Sequence, residues 1–217
     1  MTLTEDADAL WRTATALARA EAAVSPPDRR ERSPLPPLLF FTDPRRTSCP
    51  WETAAHLPAG AGVVFRHFGA PDALETGLRL RAATQAAGVR LLVGLDADLA
   101  ERIAADGVHL PERALSAAYA LSGRRPDWLL TGAAHSLAAV KSAGDLDALV
   151  LSPVFPAGGA SAAKPALGIE GFRAMAAIAP CPAYALGGIV PANAETLIGS
   201  GACGIAGVDA VQAAFRP

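Results

Sequence analysis

"GVVFRHFGAPDALETGLRLRAATQAAGVRLLVGL", residues 62–95, contains one complete structural unit of this chain. It opens and closes on short apolar runs rich in β-formers, "GVVFRHF" from 62 and "RLLVGL" from 90. Between them "DALETGLRLRAATQAAG" carries Ala, Leu, Glu and Arg at helical spacing and stops on Gly88. A strand, a helix and a strand in so short a span describe a parallel pair joined by a helical crossover. Strands this continuously apolar are buried on both faces, as parallel strands are.

The unit recurs along the chain. Further apolar, β-rich runs begin at "LLFFTD" (38), "DGVHL" (106), "WLLTGAA" (128), "ALVLSP" (148), "PAYALGG" (182) and "CGIAGV" (203), which with the first two makes eight. Helical segments such as "GIEGFRAMAAIA" lie between them, with Gly or Pro at the joints. Eight such units predict an α/β fold, a (β/α)8 TIM barrel. A doubly wound open sheet would need a Gly-rich first turn, and "FFTDPRRTSCP" has no glycine.

Residues 5–23 have helical spacing, with Leu10, Trp11 and Leu17 as bulk, and predict an extra N-terminal helix lying on barrel surface that the first and last helices leave bare. "VSPPDRRERSPLPP" follows, an extended surface connector whose Arg29, Arg30 and Arg32 are read as a solvated run. The expected division is 1–36 for helix and connector and 37–217 for a single barrel domain.

The 217 residues are 51% hydrophobic and 18% charged, enough to bury a large core and far from the composition of a disordered chain. A net charge of -2 gives no positive field for nucleic acid, and no apolar run is long enough to cross a membrane. The acidic start is unlike a secretion signal, and Cys49, Cys181 and Cys203 form no C-x-x-C pair. The expected partner is therefore a small molecule, in a cytoplasmic protein with reduced thiols. Homo-oligomerisation is left open.

In such a barrel the chemistry sits in the loops after the strands. That rule selects Thr42 and Asp43, Arg66 and His67 at strand 2, Asp96, Glu112, His135 and Ser136, Ser152 and Lys164, and Asp209. Gly187 and Gly188 in "ALGGIVPAN" and Gly207 in "GACGIAGVDAV" fall in the last two loops, where main-chain amides and helix N-termini can hold phosphate. Asp209, read as a helix cap, would repel a phosphate on those amides. His135 is placed to trade a proton near neutral pH, whereas His109, embedded in a strand, reads as a hydrogen-bonded structural residue.

"LFFTD", "ADGVHLPE", "AAHSLAAVKSAG", "SPVFP…K…LG" and "ALGGI…GACGIAGVDAV", spanning about residues 38–211 in order, resemble the thiamine phosphate synthase family, which includes thiazole tautomerases of the TenI type. The resemblance implies a phosphorylated substrate of thiamine biosynthesis. It makes the segment from Ser152 to Lys164 the counterpart of a loop, G-P-x-F/Y-P-T-x-T-K in family synthases, that closes over the substrates and brings a lysine to an anion. It implies substrate contacts from Arg66, Ser152 and Lys164, phosphate contacts from Gly187, Gly188 and Gly207, and an acid/base role for His135. Of the synthase strand-2 pattern Q-x-R-x-K only Arg66 remains, between Val64 and Phe68. The synthase magnesium positions read Gly94, Leu95 and Ala114, with Asp96 and Glu112 as the nearest, weak substitutes. The implied activity is thus metal-free thiazole tautomerisation; a synthase with a rebuilt Mg2+ site and a non-catalytic thiamine-phosphate-binding barrel are the alternatives.

Overall fold

The computed structural model of the chain describes residues 3–25, 34–159 and 164–216. Residues 26–33, with Arg29, Arg30 and Arg32 of the connector, and 160–163 of the loop after strand 6 lie outside the described residues. Eight parallel strands form one closed barrel in chain order. They are β1 (Leu38–Phe41), β2 (Gly62–Phe65), β3 (Arg90–Gly94), β4 (Gly107–Leu110), β5 (Leu129–Ala134), β6 (Ala148–Leu151), β7 (Ala183–Leu186) and β8 (Ala202–Gly207). The seam is closed by β1 on β8, with Leu38 opposite Ile205 and Phe40 opposite Gly207.

The strand period of two sorts each strand into two layers. One set of side chains, among them Leu39, Phe41, Val64, Leu92, Val150, Tyr184 and Cys203, fills the barrel. The alternate set, Leu38, Phe40, Val63, Leu91, Val93, Val108 and Leu110, packs outward against the helices. The lumen is therefore a packed core, and chemistry is confined to its rim.

Two aspartates fasten the opposite end. Asp106 and Asp147 stand just before β4 and β6, and their Oδ2 atoms accept the N–H of Leu91 at 2.7 Å and of Leu130 at 2.8 Å. Each thus satisfies a donor on the preceding strand that the ladder leaves open.

α1 (Glu5–Val24) is capped by Thr4, whose side chain accepts from the N–H of Ala7. Its buried Ala7, Leu10, Ala14 and Leu17 recur at helical spacing, and this face lies along β8. The helices after β1 and β8, α2 (Pro50–His56) and α9 (Asp209–Phe215), have seven residues each, and α1 also packs against α9. The other helices are α3 (Ala73–Ala87), α4 (Ala97–Arg102), α5 (Ala118–Arg124), α6 (Leu137–Lys141), α7 (Gly168–Ala177) and α8 (Pro191–Ala194), with a 3-10 turn over Glu112–Ala117.

Candidate functional site

At the C-terminal rim, Arg66 lies one residue beyond the end of β2 and not within it. Its N–H donates to Thr42 Oγ1 at 2.9 Å and its Nε to the Thr42 carbonyl at 2.7 Å. The guanidinium carbon is 5.4 Å from the Phe41 ring centre and 5.5 Å from that of Phe68. Among the described residues its buried Nη2 has no hydrogen-bond partner, the Asp43 carboxylate standing off at 3.8 Å. Burial pulls the Arg66 pKa below its ordinary value, and Asp43 pushes back. A guanidinium stays charged in a protein, so a buried N–H with nothing to donate to is a built-in demand for an anion or carbonyl.

Arg46, which the strand-end rule passes over although it belongs to the same "DPRR" as Asp43, completes the charge set. Its guanidinium donates to Asp43 Oδ2 at 3.3 Å and to Asp209 Oδ2 at 2.7 Å. Asp209 is not a cap: Val208 holds that position, and Asp209 is the first residue of α9 with its carboxylate turned to Arg46. His67, which the strand-end rule selects without giving it a role, receives the Gly69 N–H on Nδ1 and faces Asp96 Oδ2 at 3.4 Å through Nε2.

His135 follows β5 and is exposed. Its Nδ1 lies 2.7 Å from the carbonyl oxygen of Ser152. A carbonyl only accepts, so the hydrogen sits on Nδ1 and the Nε2 lone pair is left as a base. Glu112 holds the residue in place: its carboxylate accepts the His135 N–H at 2.6 Å and the Ser136 hydroxyl at 2.9 Å. Ser136 in turn caps α6. His109 points inward from β4, 2.9 Å from Thr131 Oγ1 and edge-on to Phe41. Burial, then the charges of Arg66 and His135, push its pKa down to about 3, so it is neutral.

Gly187 and Gly188 adopt φ of 101° and 66°, conformations that favour glycine. A Cβ at Gly187 would stand 2.8 Å from Pro153, and one at Gly188 2.5 Å from the Pro156 carbonyl. The pair therefore lets the start of the loop after β6 close onto the end of β7, where Val154 and Phe155 donate to the carbonyls of Leu186 and Gly187. At Gly207 a Cβ would meet Val211 of α9 at 2.7 Å. Among the described residues no hydrogen bond engages the backbone N–H of Gly187, Gly188, Ile189, Val208 or Asp209. Lys164 is exposed, four residues before α7.

The carboxylates present do not suit a divalent cation, which needs several oxygens turned to one point. Asp96 Oδ1 accepts the Leu99 N–H as the cap of α4 while Oδ2 faces His67. Both Glu112 oxygens are taken by His135 and Ser136. Among the described residues no three His, Cys, Asp or Glu side chains gather in a metal-holding group.

The family model described as thiamine monophosphate synthase matches residues 40–211. The thiamine-phosphate synthase of Chloroflexus aurantiacus is 36% identical over 74% of this chain and 76% of its own length. That of Laribacter hongkongensis is 33% identical over 76% of this chain and 80% of its own. The solved thiamine phosphate pyrophosphorylase of Pyrococcus furiosus superposes with a TM-score of 0.65 at 25% identity, over 82% of this chain and 91% of that one.

Proposed function

The chain belongs to the thiamine monophosphate synthase family, and from that premise we propose that it binds a thiazole phosphate and moves a proton around the ring without a metal, His135 acting as acid and base. The observation that carries this reading is the His135 geometry: Nδ1 donates to the Ser152 carbonyl, so Nε2 at the rim is the proton-accepting atom. Glu112 and Ser152 position it; neither needs to change protonation. In this reading the phosphate rests on the unengaged amides after β7 and β8, and Arg66 Nη2 and Lys164 supply positive charge.

The reaction breaks one ring C–H bond, passes the proton to His135 Nε2 and leaves the electron pair in the ring. The imidazolium then returns the proton to a second ring atom. Metal-free isomerisation of thiazole phosphate that falls at least about 1,000-fold in His135→Ala is the expected result, on the scale of a lost general base. Activity unchanged by that substitution would refute the assignment.

The curated relatives favour a second reading, a synthase joining a pyrimidine diphosphate to the thiazole phosphate and releasing diphosphate. The same purified protein, supplied with both substrates and magnesium, distinguishes the two: thiamine phosphate forms only under the second. Binding of thiamine phosphate with neither turnover would leave a silent barrel.

A further inference from the structure

We propose that His109 is a second substrate-contacting residue of this site, a neutral imidazole whose Nε2–H donates to an electron-rich atom of the bound ring while His135 carries the proton. The proposal rests on the reading above of a ring ligand held by its phosphate. Its geometry comes from the strand pleat. Val108 and Leu110 belong to the outward layer, so His109 between them faces the lumen. There it lies 4.9 Å from the Phe41 ring, the same ring over which the Arg66 guanidinium sits.

The tautomer follows from Thr131. That hydroxyl is wholly buried, and among the described residues its one hydrogen-bond partner is His109 Nδ1 at 2.9 Å. The hydroxyl hydrogen has no other acceptor, so Nδ1 accepts and the single hydrogen of the neutral ring sits on Nε2. The buried side-chain atoms without a partner among the described residues are Arg66 Nη2, Arg81 Nε and Trp128 Nε1. His109 Nε2 is not one of them, and among the described residues no hydrogen bond takes it up, so this atom is not sealed from solvent in a residue that is 6% exposed.

The two histidines are complementary: one presents a lone pair, the other an N–H. Removing a ring proton leaves an electron pair on the substrate, and a fixed donor that keeps its own hydrogen stabilises that charge as it develops. No net proton leaves His109. Its resistance to protonation, set by burial and by Arg66 and His135, keeps it in the neutral form.

The test is nuclear magnetic resonance of full-length protein carrying 15N in its four histidines and backbone, from pH 5 to 8, free and with thiazole phosphate. His109 is expected to stay neutral with its hydrogen on Nε2, and the ligand is expected to shift that signal together with the amides of Gly187 and Gly188. A hydrogen on Nδ1 overturns the proposal before ligand is added. Shifted glycine amides with an unmoved His109 overturn it and leave the phosphate reading intact; no shift at either overturns both. In turnover, His109→Phe should lower kcat about 100-fold, the scale of one lost charge-stabilising donor, with KM little changed. An unaltered kcat overturns the proposal, and the resonance experiment decides if this variant does not fold.

Discussion

Asp209 sets a carboxylate beside amides suited to phosphate, yet Arg46 holds it at 2.7 Å. Its side chain is 65% exposed, so the pair adds little stability. Asp209→Asn should leave the melting temperature within about 1 °C. It should tighten inorganic phosphate several-fold in low-salt calorimetry, and weaker binding would mean that the carboxylate acts by orienting Arg46. His109 makes the stability of the fold depend on pH. Its folded pKa, about 3, lies below the ordinary 6.5, so protonation favours the unfolded chain. Its neutral form costs nothing above pH 6.5; stability is lost as pH falls from there toward 3, at about 1.4 kcal/mol per unit. Urea unfolding at pH 7 and 4.5 should thus show a loss of about 2–3 kcal/mol that His109→Asn removes. The strand-end rule makes His135 and Arg66 legible in the sequence. Arg46 is not, because its partner Asp209 is 163 residues away. Thr131, likewise, becomes a partner of His109 only through the pairing of β4 with β5.

At the scale of the element, the two glycines after β7 show how local pattern underdetermines purpose. The sequence suggests a turn or a phosphate cradle; the packing adds a third role, as the face on which the loop after β6 is seated. Gly188→Ala would combine an unfavourable φ of 66° with a contact 2.5 Å from the Pro156 carbonyl. A loss of about 1–3 kcal/mol in thermal or urea unfolding is expected. Asp106 is the counterpart at the other end of the barrel. Asp106→Ala should cost about 1–3 kcal/mol by stripping the Leu91 N–H and Arg81 of their acceptor. All eight strands are legible because continuous apolar runs are imposed by burial on both sides. Where a strand ends is less so: β2 stops at Phe65, and the Arg66 beyond it gives its N–H to the Thr42 hydroxyl and its Nε to the Thr42 carbonyl instead of continuing the ladder.

For the molecule as a whole, the barrel closes on a core that leaves its thiols unequal. Cys181 and Cys203 are buried, Cys49 is partly exposed, and burial raises the Cys203 pKa well above its ordinary value. A thiol reagent should titrate one cysteine quickly in the native protein and three in denaturant; a second fast site would contradict the burial of Cys181 before β7 or of Cys203 on β8. That packing depends on α1, whose apolar face lies on the last strand and whose Thr4 hydroxyl donates to the Ala214 carbonyl across 210 positions. α1 therefore has no dock until β8 and α9, some 200 residues further along the chain, have been synthesised. Contacts so far apart in the chain form late, so the docking of α1 on β8 and α9 is expected to complete the fold.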